Sequence, residues 1–140
     1  MSKIFFYGLF MDRSLLTEKG LRPEIVGPAV LPGYRIHIGE RATLLRSDGH
    51  RAYGVVMALP DSQADALYAE PSVREYVPEP VRVEPLDGGD VVEASCYNLP
   101  TGSGLDGSNP AYAVQLSRLV EALGFDAAYV REIAAFADPP

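Results

Sequence analysis

Two stretches hold residues whose types and spacing can do chemistry: Phe6-Tyr7-Gly8-Leu9-Phe10 near the start, and Glu70-Pro71 with Tyr76 at mid-chain. Ile4 to Tyr7 are β-branched or aromatic, the composition of a buried strand, and Gly8 interrupts them. A strand that stops at a glycine exposes backbone N–H groups whose next pairing partner is missing. Such amides grip a carboxylate or a developing oxyanion without any charged side chain. Glycine in that place lets a ligand approach the main chain and tolerates positive φ. The same residues also suit an ordinary edge turn. Glu70 sits where a helix hands over to an extended segment, its backbone restricted by Pro71. Held among Tyr68 and Tyr76 in a concave site, its carboxylate can act as a general base and then as an acid. Left in the open, it is an exposed helix-end glutamate.

The remaining reactive residue types point elsewhere. Glu75 and Glu79 alternate with apolar neighbours as a solvated strand face does, and Glu84 ends that strand facing water. His37 and His50 are isolated, and no Cys/His/Asp spacing suggests a metal site. Cys96, between Ser95 and Tyr97 in an alternating stretch, reads as a small core residue without a histidine to activate it. Gly102-Ser103-Gly104 lacks the lysine and the strand-to-helix context of a phosphate loop. Tyr97 and Tyr112 read as core, with hydroxyls able to reach a pocket.

The elements that must position these residues follow from periodicity and punctuation. After the opening strand, Ser14-Leu15-Leu16 forms a helical turn, and Thr17 to Glu24 is a polar connection. Ile25–Leu31 and Tyr34–Ile38 are strand-like and separated by the turn signal Pro32-Gly33. Ala42–Leu45 and Ala52–Leu59 are strands on either side of a turn at Ser47-Asp48-Gly49-His50. Pro60-Asp61-Ser62 opens a short helix with Asp61 or Ser62 as N-cap, ending near Ala69 or Glu70. Tyr76–Val83 and Val91–Leu99 flank the turn Leu86 to Asp90, and Pro78 and Pro80 put the first of them at an edge or a bend. Pro100 to Ser108 is a loop. Asn109-Pro110 then caps and starts a helix that Gly124 ends, Asp126 caps a last helix, and Pro139-Pro140 is tail. Strands fill the first hundred residues and helices the last thirty. The expectation is an α+β fold with a curved or closed sheet, helices packed outside it, and one domain over residues 1–140.

The totals set bounds. The chain has 140 residues, an apolar fraction of 47% and a formal charge of −7, so it is long enough for a real core. Without a basic run, nucleic acid and anionic membranes are poor partners. A single cysteine excludes an internal disulfide and fits a reducing compartment. No apolar stretch reaches membrane-spanning length, and no signal peptide is read, which points to the cytoplasm.

Taken together, the pieces resemble the γ-glutamylcyclotransferase-like, or AIG2-like, family. Phe6-Tyr7-Gly8-Leu9-Phe10 takes the place of the family's strand-end Tyr-Gly loop. Tyr53-Gly54-Val55-Val56 is similar to its Tyr-Gly-Val strand. Glu70, Tyr76, Val81 and Val83 resemble its Glu…Tyr-x-x-x-x-Val-x-Val stretch, and Asn109-Pro110-Ala111-Tyr112 with Gly124-Phe125 and Tyr129 resembles the C-terminal helical pair of bacterial members. The resemblance implies a small mixed β-barrel flanked by helices. It also implies a γ-glutamyl cyclotransferase that closes 5-oxoproline and expels an amine or amino acid. Glu70 would be its general base and acid, Gly8, Leu9 and Phe10 its backbone donors, and Tyr7 and Tyr76 its pocket walls. No metal or organic cofactor is implied, and the partner is a small γ-glutamyl substrate of a monomer or homodimer. Two positions depart from the pattern. Leu9-Phe10 replaces a polar pair, and Ala66-Leu67-Tyr68-Ala69 replaces the acidic lead-in to Glu70. The altered loop makes a catalytically silent small-molecule-binding domain on the same scaffold the alternative.

Overall fold

A computed structural model describes residues 1–100 and 104–138. Five strands, β1 (Ser2–Phe6), β2 (Glu24–Ile38), β3 (Ala42–Leu59), β4 (Val77–Pro85) and β5 (Val92–Asn98), close a barrel in the order β1-β3-β2-β4-β5. The pairing is antiparallel except at the closure, where β1 runs parallel to β5 through Ile4 and Ser95. The helices are α1 (Arg13–Glu18), α2 (Asp61–Leu67), α3 (Pro110–Ala122) and α4 (Ala127–Ala134), with 3-10 turns at Leu9–Met11 and Ala135–Ala137. The architecture is therefore the expected α+β barrel with two helices at its C-terminal end.

Local chemistry explains most of the elements. Asn109 caps α3 by accepting from the Tyr112 amide at 3.1 Å, and Asp126 caps α4 by accepting from Ala128 at 2.7 Å. Gly124, at φ +80°, ends α3 as expected. Residues 52–59 of β3 are buried on both faces, which accounts for their unbroken apolar run. The inward side chains fill the barrel, while Tyr53 packs outward on Phe125 and Tyr129 beside α4. Gly54 permits the close approach of β1, since a Cβ there would run into the Phe6 carbonyl.

Four expectations need correction. Pro32-Gly33 and Ser47–His50 do not end strands: β2 and β3 run through both, and the register shifts between Pro32↔Arg51 and Tyr34↔Arg46. A bulge lets long strands bend around a small barrel without breaking them. The helical turn after β1 continues to Glu18, so the polar connection is shorter than read. The N-cap of α2 is Pro60, without a side-chain cap. Asp61 lies in its first turn and accepts instead from the Ser2 hydroxyl at 2.7 Å. Glu79, read as solvated, shares the inner face of β4 with Val81 and Val83; it accepts from the Tyr34 hydroxyl at 3.2 Å and from Asn98 Nδ2 at 3.3 Å. Pro78 and Pro80 sit in the part of β4 that pairs only with β5, the edge position expected for proline. Residues 101–103 of the Pro100–Ser108 loop reading, with the Gly102-Ser103 part of the phosphate-loop reading, and the Pro139-Pro140 tail lie outside the described residues.

Candidate active site

At the end of β1 the chain turns into a 3-10 helix. The Met11 amide donates to the Gly8 carbonyl at 3.0 Å and the Asp12 amide to the Leu9 carbonyl at 2.9 Å. A helix start leaves its leading amides without intrahelical acceptors, here those of Gly8, Leu9 and Phe10. Gly8, Leu9 and Phe10 line a cavity of about 320 Å³, at the small end of the ligand-pocket range. Its wall is formed by Phe5 to Phe10 and Leu15 on one stretch, by Tyr68, Ser72, Val73 and Tyr76 after α2, and by Tyr97 and Tyr112. Glu40, Arg41, Ala42 and Asn109 complete it. Tyr7, Gly8, Leu9, Phe10 and Tyr76, all singled out from the sequence, are thus brought together.

The phenols of the wall are held in place by the main chain. Tyr7 donates to the Tyr97 carbonyl at 2.7 Å, and Tyr76 donates to the Ala42 carbonyl. Tyr68 lies flat on Tyr97, with ring centroids 3.6 Å apart. Burial pushes the Tyr7 and Tyr68 hydroxyls well above the ordinary phenol range and raises Tyr76 to about 12, the last partly offset by the Arg41 guanidinium. These groups are neutral donors and apolar walls, not bases. Gly8 is required here for a different reason from the one expected. Its φ is −106°, open to any residue, but a Cβ would stand 2.6 Å from the Tyr112 hydroxyl.

Glu70 follows α2 in a turn, its carbonyl accepting from the Val73 and Arg74 amides at 3.0 and 2.9 Å. Its carboxylate is not part of the cavity wall. Oε1 lies 2.6 Å from Lys19 Nζ, with both side chains about one-third exposed (35% and 34%). That ammonium stands 6.0 Å from the ring centre of Phe10, which does line the cavity, so the ion pair flanks a wall residue. The aromatic surroundings expected for Glu70 belong instead to Tyr68 and Tyr76.

Several wall residues carried no local signal. Tyr97 and Tyr112 were read as core with a possible reach to a pocket, and both do reach one. Glu40 and Arg41 sit in the β2–β3 connection, where short range offers only a polar turn. The other candidates are structural: His37 Nε2 contacts the Leu105 carbonyl at 2.9 Å, His50 Nδ1 contacts the Ser47 hydroxyl at 2.8 Å, and Cys96 is fully buried. Among the described residues no cluster of His, Cys, Asp and Glu could hold a metal ion. No helix among them is long and apolar enough to cross a membrane.

The sequence profile of the family described as "Gamma-glutamyl cyclotransferase, AIG2-like" matches residues 4–115. The chain belongs to that family. Similar solved structures agree on the fold. One described as "Gamma-glutamyl cyclotransferase" superimposes with a TM-score of 0.81 at 18% identity, covering 99% of this chain and 89% of its own. YkqA from Bacillus subtilis gives 0.77 at 24% identity over 97% of this chain and 54% of its own. A yeast γ-glutamyl cyclotransferase specific to glutathione gives 0.65 at 14% identity over 97% and 95%. Among curated proteins none matches in sequence. The AIG2-like assignment covers the Tyr7-Gly8 loop, the Glu70–Tyr76 stretch and every residue of the cavity wall.

Proposed function

We propose that the protein is a γ-glutamyl cyclotransferase in which Glu70 serves as general base and then general acid. The reading is carried by one observation in a chain of this family: Gly8, Leu9, Phe10 and Tyr76 line one largely aromatic cavity. The α-amine of a γ-glutamyl donor is protonated at neutral pH and cannot attack. Glu70 removes that proton, and the freed nitrogen bonds to the γ-carbonyl carbon to close a five-membered ring. The carbonyl oxygen becomes an oxyanion facing the loop amides. As the oxyanion collapses, the bond from that carbon to the departing nitrogen breaks. Glu70 returns its proton to that nitrogen and takes up the second proton that the ring nitrogen still carries, which passes to the departing amine, releasing 5-oxoproline and an amine or amino acid as its ammonium. The step is unimolecular in bound substrate, so folding the glutamyl chain against Tyr7 and Tyr76 contributes much of the rate.

Lys19 fits this scheme as a stand-in. Its ammonium at 2.6 Å from Glu70 is the same chemical group that the substrate's α-ammonium presents. Catalysis then requires the carboxylate to exchange one ammonium for the other. The apolar Leu9-Phe10 pair and this engaged carboxylate favour a second reading, a silent module that binds small γ-glutamyl compounds without turnover.

The experiment is 5-oxoproline release from a panel of γ-glutamyl amino acids, peptides and amines. Wild type should release it from at least one donor, and Glu70→Gln should lose turnover while keeping its circular dichroism and melting temperature. Stabilisation by these compounds with no release from any of them would select the silent module. The same reading takes residues 1–140 as one domain, working in the cytoplasm as a monomer or homodimer.

A further inference from the structure

The cavity is walled mostly by rings and aliphatic groups, yet one cationic side chain interrupts it among the described lining residues, Arg41. Its guanidinium lies 5.7 Å from the ring centre of Tyr76, another wall residue. Nη2 donates to Glu75 Oε2 at 3.2 Å, and Glu75 is 59% exposed against 32% for Arg41. A guanidinium offers five N–H donors in a rigid fork, and that contact occupies one nitrogen. The group is therefore fixed by a ring and tethered at its wet edge, with donors left for a second oxyanion. Next to apolar walls such a charge-assisted pair is stronger than in open water.

The chemistry proposed for the cavity needs these donors. A γ-glutamyl donor brings a carboxylate on its glutamyl half in addition to the oxyanion formed at the γ-carbon. A single three-residue turn is a compact set of donors, suited to one anion and not to two well-separated ones.

We infer that Arg41 is the carboxylate anchor of the cavity, a binding residue that selects ligands by their carboxylate, with Glu75 as its positioning partner. The identity of the ligand rests on the cyclotransferase reading, and the carboxylate held is that of the glutamyl half, which 5-oxoproline retains.

Calorimetric titration of wild type, Arg41→Met, Arg41→Lys and Glu75→Gln with 5-oxoproline and with its uncharged amide tests the inference. Wild type should bind the acid about tenfold more tightly than the amide. Arg41→Met should erase that preference and Arg41→Lys should keep part of it. Glu75→Gln, an exposed change that loosens the guanidinium, should weaken the acid about two- to fivefold and leave the amide unchanged. A preference surviving in a folded Arg41→Met, no preference in wild type, no change in Glu75→Gln, or no binding of either ligand would each overturn it. Arg41→Met should also raise KM for γ-glutamylalanine and γ-glutamylmethylamide alike; a rise for the first alone would put the leaving group's carboxylate on Arg41 and overturn the assignment. Acid preference without any 5-oxoproline release removes the cyclotransferase reading and keeps the anchor. Release indifferent to Arg41 and Glu75 does the reverse.

Discussion

The Tyr112 hydroxyl fills the space beside Gly8, 2.6 Å from where a Cβ on that residue would stand, while its ring carbon Cζ is 4.0 Å away. The first helix of the C-terminal pair thereby fixes the turn at the end of the first strand. Gly8→Ala should cost about 1–3 kcal/mol, the usual penalty for overpacking a filled site. Adding Tyr112→Phe removes the oxygen that clashes and should recover most of that loss. Chemical denaturation of the two single variants and the double variant measures the coupling; simple additivity would show that the turn is not set by Tyr112.

Lys19→Met removes the ammonium that holds Glu70. Both side chains are about one-third exposed (34% and 35%), so the pair contributes at most about 1 kcal/mol. KM for a γ-glutamyl donor should fall by about two- to fivefold with kcat unchanged or raised. Steady-state kinetics reads the split, and an unchanged KM would mean that the carboxylate does not trade partners.

Alkaline pH should unfold the protein cooperatively. Tyr7, Tyr68, Tyr112 and Tyr129 are raised by burial, and Tyr76 to about 12. Above the ordinary phenol value of about 10 the unfolded chain loses protons that the native chain keeps. Stability is therefore complete below about pH 10 and is lost as pH climbs through the native values. Tyrosinate absorbance followed beside far-ultraviolet circular dichroism checks this. The buried set should ionise together with the loss of structure, and ionisation well before it would refute the argument.

Cys96 should be inert. It is fully buried, its thiol donates to Asn98 Oδ1 at 3.7 Å, and burial raises its pKa far above the ordinary thiol value. An aromatic disulfide reagent should label it only after denaturant is added, and Cys96→Ala should keep turnover within about twofold while costing about 1 kcal/mol of stability. Fast labelling of the native protein would contradict this.

Local chemistry made some of the molecule legible and long-range chemistry hid the rest. The caps at Asn109 and Asp126 and the stop at Gly124 depend on a few neighbouring residues, so they appear in the sequence as they do in the structure. Pro32-Gly33 and Ser47–His50 carry the same residue types as true turns. What makes them bulges is the partner strand running on past them, which no short window contains. Glu79 follows the alternation faithfully but on the inner face, where Tyr34 and Asn98, both distant in sequence, satisfy it. Arg41, Tyr97 and Tyr112 come to the cavity from three separate elements, so their meeting is a property of the closed barrel. The Gly8 turn and Tyr76 were legible because residue type and a family resemblance coincide there, although the reason for Gly8 lay in Tyr112.

The parallel seam between Ile4 and Ser95 has a consequence for how the molecule is made. The apolar run Ile4-Phe5-Phe6-Tyr7 leaves the ribosome well before β5 and waits, with one flank bare, until β5 has been synthesised. Sequence separation of this kind slows closure, roughly to the millisecond-to-second range for barrel topologies, and keeps an adhesive segment exposed in the nascent chain. The tract that supplies one wall of the cavity is thus also the tract that a chaperone has most reason to shield.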